Sequence, residues 1–326
     1  MTRCAVLKRW PVVLLALITL PGVAGSQAAS SLAQVNPYTI RTNVNLVALE
    51  ATVRDRKGAP VSGLSKENFR IFEDKVPQQI ESFSHDDIPV TVGMVIDNSG
   101  SMEPKYPEVI AAALAFIRSS NPRDQVFVVN FNEHVRLGLP ENMPFTNNAA
   151  QLEAALSKNV HSGMTALYDA IAVALEQLRK GKWEKKVLIV VSDGGDNASK
   201  RKLDQVLSMM NQSNAAIYTM GIFNENDVDR NPQVLKRLSR ASGGEAFFPN
   251  ILQEVLPICE QIARDIRSQY TITFIPTNKK QDGTYRTLDV RAYMSPGGKR
   301  LSVNTRAGYS APSNSPSSDR ISENRQ

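Results

Sequence analysis

The chain has 326 residues, of which 42% are hydrophobic and 21% charged, a balance typical of globular proteins with room for one large and one smaller domain. Its formal net charge is +6, but three of the 38 basic residues, Arg3, Lys8 and Arg9, stand in the first ten positions, where there is no acidic residue. Without them the net charge is +3. No dense run of Lys and Arg is interleaved with aromatic residues, so the composition argues against nucleic-acid binding.

Residues 1–25 have the pattern of a secretory signal peptide. The three basic residues precede a short apolar run at 11–23, and small residues follow it as candidate cleavage sites: Ala24, Gly25, Ser26, Ala28 and Ala29. The run is shorter than the roughly 20 residues that a membrane helix needs, so we expect cleavage, with an uncleaved membrane anchor as the alternative. We therefore expect an exported protein, periplasmic or extracellular, whose mature chain has no membrane span.

Cysteine usage predicts no internal disulfide. After cleavage Cys259 is the single cysteine left, and Cys4 stands before the apolar run, which argues against a lipid-modified cysteine. Cys259 lies on an apolar helical stripe with Leu252, Val255, Leu256, Ile262 and Ile266. This spacing predicts a buried core thiol rather than a reactive one.

The segments 36–88 and 269–309 both predict short β-strands. Candidate strands are 45–54, 69–74 and 80–83 in the first segment, and 270–275, 287–293 and 300–304 in the second. Either set alone would expose a hydrophobic face, so we expect the two to pair into one small β-sandwich. Residues 310–326 are rich in Ser, Pro and Asn without periodicity, and we expect a disordered tail there.

The segment 89–268 alternates predicted strands and helices. Candidate strands are 90–96, 125–131, 186–192 and 216–222, with weaker ones at 135–137 and 245–248, and apolar residues keep helical spacing over 109–117, 167–178, 206–210 and 251–267. Nearly continuous apolar strands separated by helices are typical of a mainly parallel sheet with helices on both faces. We therefore predict a doubly wound α/β domain inserted between the two halves of the sandwich.

Five oxygen-bearing side chains stand where predicted strands end or a helix starts. Asp97, Ser99 and Ser101 follow one strand, Asp193 follows another, and Thr165 precedes a helix. Open α/β sheets bind ligands at the carboxyl ends of their strands, and hydroxyl and carboxylate oxygens suit a small hard cation. Taken singly, the aspartates could cap turns, Thr165 could cap its helix, and the serines could be loop hydroxyls. Their common place at one sheet edge favours a metal site formed by all five.

Three motifs follow one another along the chain: Asp97-x-Ser99-x-Ser101, Gly163-x-Thr165 and Ser192-Asp193-Gly194. Their order resembles the metal-ion-dependent adhesion site of the von Willebrand factor type A domain, also called the integrin I-like domain. The resemblance covers roughly residues 89–268, and the flanking β segments resemble secreted bacterial proteins that carry this domain. It implies that Ser99 and Ser101 bind Mg²⁺ (or Mn²⁺) directly, that Thr165 does so directly or through water, and that Asp97 and Asp193 hold coordinated waters.

Three neutral hydroxyls leave such an ion electrophilic, so a vacant position favours an anionic oxygen. We therefore expect an adhesion-type protein-binding module in which a partner protein supplies an Asp or Glu carboxylate to the metal; the oligomeric state stays open. The resemblance also makes the helix at 251–267 a candidate for transmitting a change at the metal. By position alone, candidate rim residues are Glu103, Tyr106, Met164, Asn197 and Asn224.

Two other functions stay open, a structural component of the cell envelope with a fold-stabilising metal and a metal-assisted hydrolase. Catalysis is disfavoured because Ser99 stands where a phosphoryl-transferring Asp would have a second Asp. Neither a G-x-S-x-G elbow nor a phosphate-binding loop surrounds the serines, and none of His85, His134 and His161 has a recognisable triad context. We therefore do not expect an enzyme.

Overall fold

The computed structural model describes residues 46–157, 162–223 and 230–313. The described part of the chain begins with four β-strands: β1 (Val47–Arg54), β2 (Phe69–Glu73), β3 (Val76–Gln78) and β4 (Ile80–Ser84). An α/β part follows: β5 (Thr91–Asp97), α1 (Tyr106–Arg118), β6 (Gln125–Phe131), β7 (Val135–Leu137), α2 (Ala149–Ser157), α3 (Leu167–Arg179), β8 (Lys186–Ser192), α4 (Leu203–Gln212), β9 (Ala215–Gly221), α5 (Pro232–Ser242), β10 (Ala246–Phe247) and α6 (Val255–Arg267). Four more strands follow in the described part of the chain: β11 (Tyr270–Phe274), β12 (Tyr285–Ala292), β13 (Ser302–Asn304) and β14 (Gly308–Ser310).

The α/β part is built on one six-stranded sheet in the order β10-β9-β8-β5-β6-β7. Neighbouring strands are parallel except at the edge, where β7 runs antiparallel to β6. Met94 and Ile96 of β5 pack against side chains of α1 and α6 on one face, whereas α3 ends next to Thr91 on the other face. Because apolar strands are covered on both faces, β5 and β9 are buried along their whole length. The predicted doubly wound fold is confirmed.

Two antiparallel four-stranded sheets form the β-sandwich, in the orders β13-β1-β11-β4 and β14-β12-β2-β3. Each sheet combines both ends of the described chain, because β1 pairs with β11 and β2 pairs with β12. Their apolar side chains form a core of their own, which includes Leu49, Ile71, Ile272 and Val290. The prediction that the two β segments pair into a sandwich is therefore confirmed.

The chain leaves the sandwich and returns to it through neighbouring strands. β4, the last strand before the α/β part, pairs with β11, the first strand after it. The α/β part is thus inserted at one point of the sandwich without interrupting either sheet. The described residues belong to one compact unit, and none of their helices is long and apolar enough to span a bilayer.

Some predicted boundaries differ from the structure. The tail was expected to begin at residue 310, but Ser310 ends β14, and the buried Ala311 donates its N–H to the Thr284 carbonyl at 2.9 Å. The helix expected over 251–267 starts with a 3₁₀ turn at Leu252–Glu254 and is α-helical only in α6. The predicted signal peptide, residues 36–45 and the rest of the predicted tail from 314 onwards lie outside the described residues.

Candidate metal centre

The carboxyl ends of β5 and β8 lie side by side, and their polar side chains are hydrogen-bonded to one another. Asp97 ends β5; its Oδ2 accepts a hydrogen bond from Ser192 Oγ at 2.6 Å, and its Oδ1 accepts one from the Ser99 N–H at 2.9 Å. Burial raises the pKa of the Asp97 carboxyl to about 6 despite these bonds, and the nearby Asp193 carboxylate adds to the rise. A cation at this edge would favour the ionised form of Asp97.

The two serines extend this cluster to Asp193. Ser101 Oγ donates to Asp193 Oδ2 at 2.7 Å, and it lies 3.3 Å from Ser99 Oγ. Ser99 and Asp193 are buried, whereas Ser101 is partly exposed. The structure therefore joins four of the five predicted residues in one hydrogen-bonded cluster, of which Ser101 is partly exposed.

Thr165 is held at the same edge by its backbone. Its N–H donates to Asn197 Oδ1 at 2.8 Å, and its carbonyl accepts from the Asn197 N–H at 3.0 Å, in the loop that follows β8. On the same loop as Thr165, Ser162 donates its N–H to the Asn98 carbonyl at 3.1 Å, directly after β5. The buried Thr165 thus belongs to a loop that is tied to both strand ends of the cluster.

The simpler structural roles account for only part of this arrangement. Asp97 Oδ1 and Asp193 Oδ1 each accept the N–H two residues further on, as turn-capping aspartates do. The second oxygen of each, however, is bonded to a serine of the neighbouring strand end. Thr165 is not the N-cap of α3, because that position is Ala166 and the Tyr168 N–H is bound instead by Asp196 Oδ2 at 2.9 Å.

The hydrogen bonds that hold these loops in place were not predicted from the sequence. Ser192 fixes the Asp97 carboxylate, Asp196 caps α3 from another loop, and Glu133 Oε2 accepts the Met164 N–H at 3.0 Å. Gly163 has a φ of +88°, and a Cβ there would overlap the Glu133 carboxylate. Gly163, two residues before Thr165, is the one local sequence signal for this loop, because the residues that bind the loop come from distant parts of the chain.

Three of the five predicted rim residues are exposed, as a rim position requires. Glu103 and Asn197 are exposed, and Met164 is 54% exposed. The prediction for Tyr106 is wrong, because the side chain is buried in the core and its hydroxyl donates to the Leu156 carbonyl at 2.6 Å. Asn224 lies outside the described residues.

The chemistry of the cluster fits a hard divalent cation. Its side-chain donors are hydroxyl and carboxylate oxygens, the ligand types that Mg²⁺ and Mn²⁺ take. The buried Asp97 carboxylate also gains from a nearby positive charge. No group of three or more His, Cys, Asp and Glu side chains within the described residues could hold a metal. The predicted centre does not depend on such a group, because only two of its five residues are carboxylates.

A family model of the von Willebrand factor type A domain matches residues 92–253, a range that includes all five candidate residues. This part of the chain belongs to the von Willebrand factor type A family, which confirms the resemblance that the motifs indicated.

Three proteins similar to the chain are distant from it in sequence. An uncharacterized protein of Synechocystis sp. is 25% identical over 181 residues, which is 54% of this chain and 41% of that protein, so the chain matches less than half of its relative's length. A von Willebrand factor type A structure from Catenulispora acidiphila is 13% identical, with 82% of this chain and 74% of that chain covered and a TM-score of 0.49. The vWF domain of the type V pili tip protein Mfa5 from Porphyromonas gingivalis is 14% identical, with 55% and 97% covered and a TM-score of 0.46.

Proposed function

We propose that the protein is an exported, metal-dependent protein-binding module. The observation that carries this proposal is the cluster in which Ser99, Ser101 and Asp193 are linked through side-chain oxygens beside the buried Asp97. Domains of this family often act in adhesion and protein binding. Export is supported by the signal-like pattern of residues 1–25.

In this proposal Ser99 and Ser101 bind Mg²⁺ or Mn²⁺ directly, Thr165 binds it directly or through water, and Asp97 and Asp193 hold coordinated waters. When bound, the ion would supply a Lewis-acidic centre that accepts an anionic oxygen. A carboxylate from an Asp or Glu of a partner protein suits this position, because hard cations prefer charged oxygen ligands. The exposed Glu103 and Met164 near the cluster would contact the partner and contribute to selectivity.

Catalysis is not part of the proposal. A nucleophilic serine needs a general base that is oriented toward it. His85 Nε2 lies 3.1 Å from the Ser268 carbonyl at the sandwich, and His134 lies in the turn before β7. Neither is bonded to a serine of the cluster, and His161 lies outside the described residues.

Thermal unfolding with and without divalent cations tests the metal part of the proposal. We expect Mg²⁺ or Mn²⁺ to raise the melting temperature of the wild type, because a ligand that binds only the folded state stabilises it. Asp97→Ala should abolish the increase, whereas Asp282→Ala, in an exposed turn of the sandwich, should keep it. An equal increase in wild type and Asp97→Ala would show that the metal binds elsewhere.

Capture of proteins from a cell-envelope extract, with and without a chelator, tests the binding part. The proposal predicts a partner that is retained by the wild type in Mg²⁺, released by the chelator, and not retained by Ser101→Ala. If every captured protein is retained equally with and without the chelator, the result would favour the alternative function, a structural component of the cell envelope.

A further inference from the structure

A second surface feature, a cleft of about 960 Å³, lies between α5 and the edge of the β-sandwich. None of the five candidate metal residues lines it. We propose that this cleft binds an extended, acidic segment of a partner protein, and that it does so without the metal.

The charge of the cleft is the first support for this proposal. Lys236, Arg237 and Arg240 are exposed and line it from α5. Among the described lining residues Glu245 is the one acid, and it is paired with Arg54 at 3.0 Å. The three α5 side chains therefore give the cleft a positive surface that attracts an anionic partner.

Arg237 already has an acidic neighbour, but that contact is weak. Its Nη2 lies 3.0 Å from Asp204 Oδ1, and the two side chains are 57% and 84% exposed. An ion pair this open to water contributes little to stability, so a partner carboxylate can replace Asp204 at small cost.

The strands that line the cleft favour an extended chain over a compact ligand. β10 ends the six-stranded sheet and β13 ends one sandwich sheet among the described strands, and both line the cleft. Edge strands present backbone N–H and C=O groups with which an added strand can pair. Tyr285, 46% exposed, adds an aromatic surface on the same cleft.

The spacing of the basic residues predicts the pattern of the acidic segment. Lys236 and Arg240 are one turn apart on α5, a rise of about 6 Å along the helix axis. In an extended chain, alternate side chains lie on one face and are separated by about 6.6 Å. Acidic residues at every second position can therefore meet the two basic side chains, whereas consecutive acids point to opposite faces.

The experiment uses two fluorescent eight-residue peptides with the same composition, one with alternating Glu and Ser and one with four Glu followed by four Ser. Binding is measured by fluorescence anisotropy in EDTA and at low ionic strength, because screening weakens exposed charge pairs. The wild type should bind the alternating peptide at least about threefold more tightly than the block peptide.

Charge reversal locates the binding. Arg237→Glu/Arg240→Glu should weaken binding of the alternating peptide at least about tenfold with little change in melting temperature. Tyr285→Ser, which changes no charge, should weaken it about threefold. The matched control is Arg123→Glu/Arg136→Glu, which alters two exposed arginines near the opposite, β7 edge of the same sheet by the same total charge and should stay within about twofold of the wild type.

Three results would overturn the proposal. In the first, the control variant and the α5 variant lose binding of the alternating peptide equally. In the second, the wild type does not bind the alternating peptide. In the third, the wild type binds anionic phosphatidylglycerol vesicles in place of the peptide. Because EDTA removes divalent cations, this test is independent of the metal centre. A failure of peptide binding would not contradict the proposed metal-dependent function, and absence of metal binding would not contradict peptide binding at the cleft.

Discussion

Asp97 links the candidate metal centre to the stability of the fold through its charge. Its pKa of about 6 in the fold lies above the value of about 3.9 for an unfolded chain. The folded state therefore holds the proton more tightly, and stability is lost as the pH rises from the lower value through the higher one. At neutral pH the buried charge costs on the order of 3 kcal/mol when no cation is near.

From this we predict that the wild type in EDTA becomes less stable to urea as the pH is raised from 4 to 7. Asp97→Asn removes the charge and keeps the shape, so it should lack this part of the pH dependence and should be more stable than the wild type at pH 7. The pH dependence of Asp282→Asn should follow the wild type over the upper part of this range. If the free energy of unfolding changes with pH by the same amount in the wild type and in Asp97→Asn, Asp97 is not the source of the pH dependence.

Cys259 is the buried core thiol that the apolar stripe predicted. It is 4% exposed between α6 and the sheet, and burial raises the pKa of its thiol to about 12. Because the thiolate is the reactive form, we predict that a Cys4→Ser chain is not labelled by a thiol reagent at pH 8 until it is unfolded in guanidinium. Rapid labelling of the native chain would show that this helix opens readily.

At the level of single residues, the sequence identified the candidate donors but not what holds them. Asp97, Ser99, Ser101 and Asp193 follow strands that are visible as apolar runs, so their common edge could be predicted. Asn197 was predicted only as a rim residue, and its bond to the backbone of Thr165, 32 residues away, has no local signal in the sequence. Hydrogen bonds between distant loops of this kind depend on the three-dimensional packing of the loops.

At the level of elements, the loop before α3 depends on Gly163. At its φ of +88° a residue with a side chain is strained, and a Cβ there would displace the Glu133 carboxylate that accepts the Met164 N–H. We predict that Gly163→Ala lowers stability by about 1 kcal/mol or more and weakens the effect of Mg²⁺ on the melting temperature, because Thr165 moves with the loop.

Gly100→Ala is the matched control, since a Cβ at this glycine of the serine motif meets open space. It should keep both the stability and the metal effect of the wild type. Equal losses in the two variants would mean that the alanine methyl, and not the backbone of residue 163, is responsible.

The strands were easier to predict than the helices. β6, β7 and β8 have the predicted bounds. β6 and β8 are mainly apolar and buried along almost their whole length, whereas β7 is a short edge strand. α2 and α5 were missed. α5 has the usual end signals, with Asn231 as a side-chain N-cap, Pro232 in the first turn and Gly243 after the last turn, but its exposed face is polar and basic.

At the level of the whole molecule, buried charges join the sandwich to the α/β part. Lys185 before β8 donates to the Ile266 carbonyl of α6, and its Nζ lies 3.6 Å from Glu50 Oε2 of β1. Burial lowers the pKa of Lys185 and raises that of Glu50, which shows that both charges are costly when they are not compensated. The sequence predicted the insertion from the need to bury two β segments, but not these contacts between distant residues.

We predict that Lys185→Met destabilises the protein by about 3–5 kcal/mol, since it leaves the Glu50 carboxylate without its cation. Glu50→Leu/Lys185→Met should recover a substantial part of this loss, because it removes both buried charges. Chemical unfolding of the two single variants and the double variant measures the coupling. Additive losses would show that the two side chains stabilise their domains separately.

The claim that these strand ends form a metal centre is tested most directly by calorimetric titration of Mn²⁺ into the wild type and into Ser99→Ala/Ser101→Ala. We expect one Mn²⁺ bound per chain in the wild type, competition by Mg²⁺, and loss of this binding in the double variant with an unchanged melting temperature in EDTA. Mn²⁺ binding of the same affinity and stoichiometry in both proteins would contradict the claim.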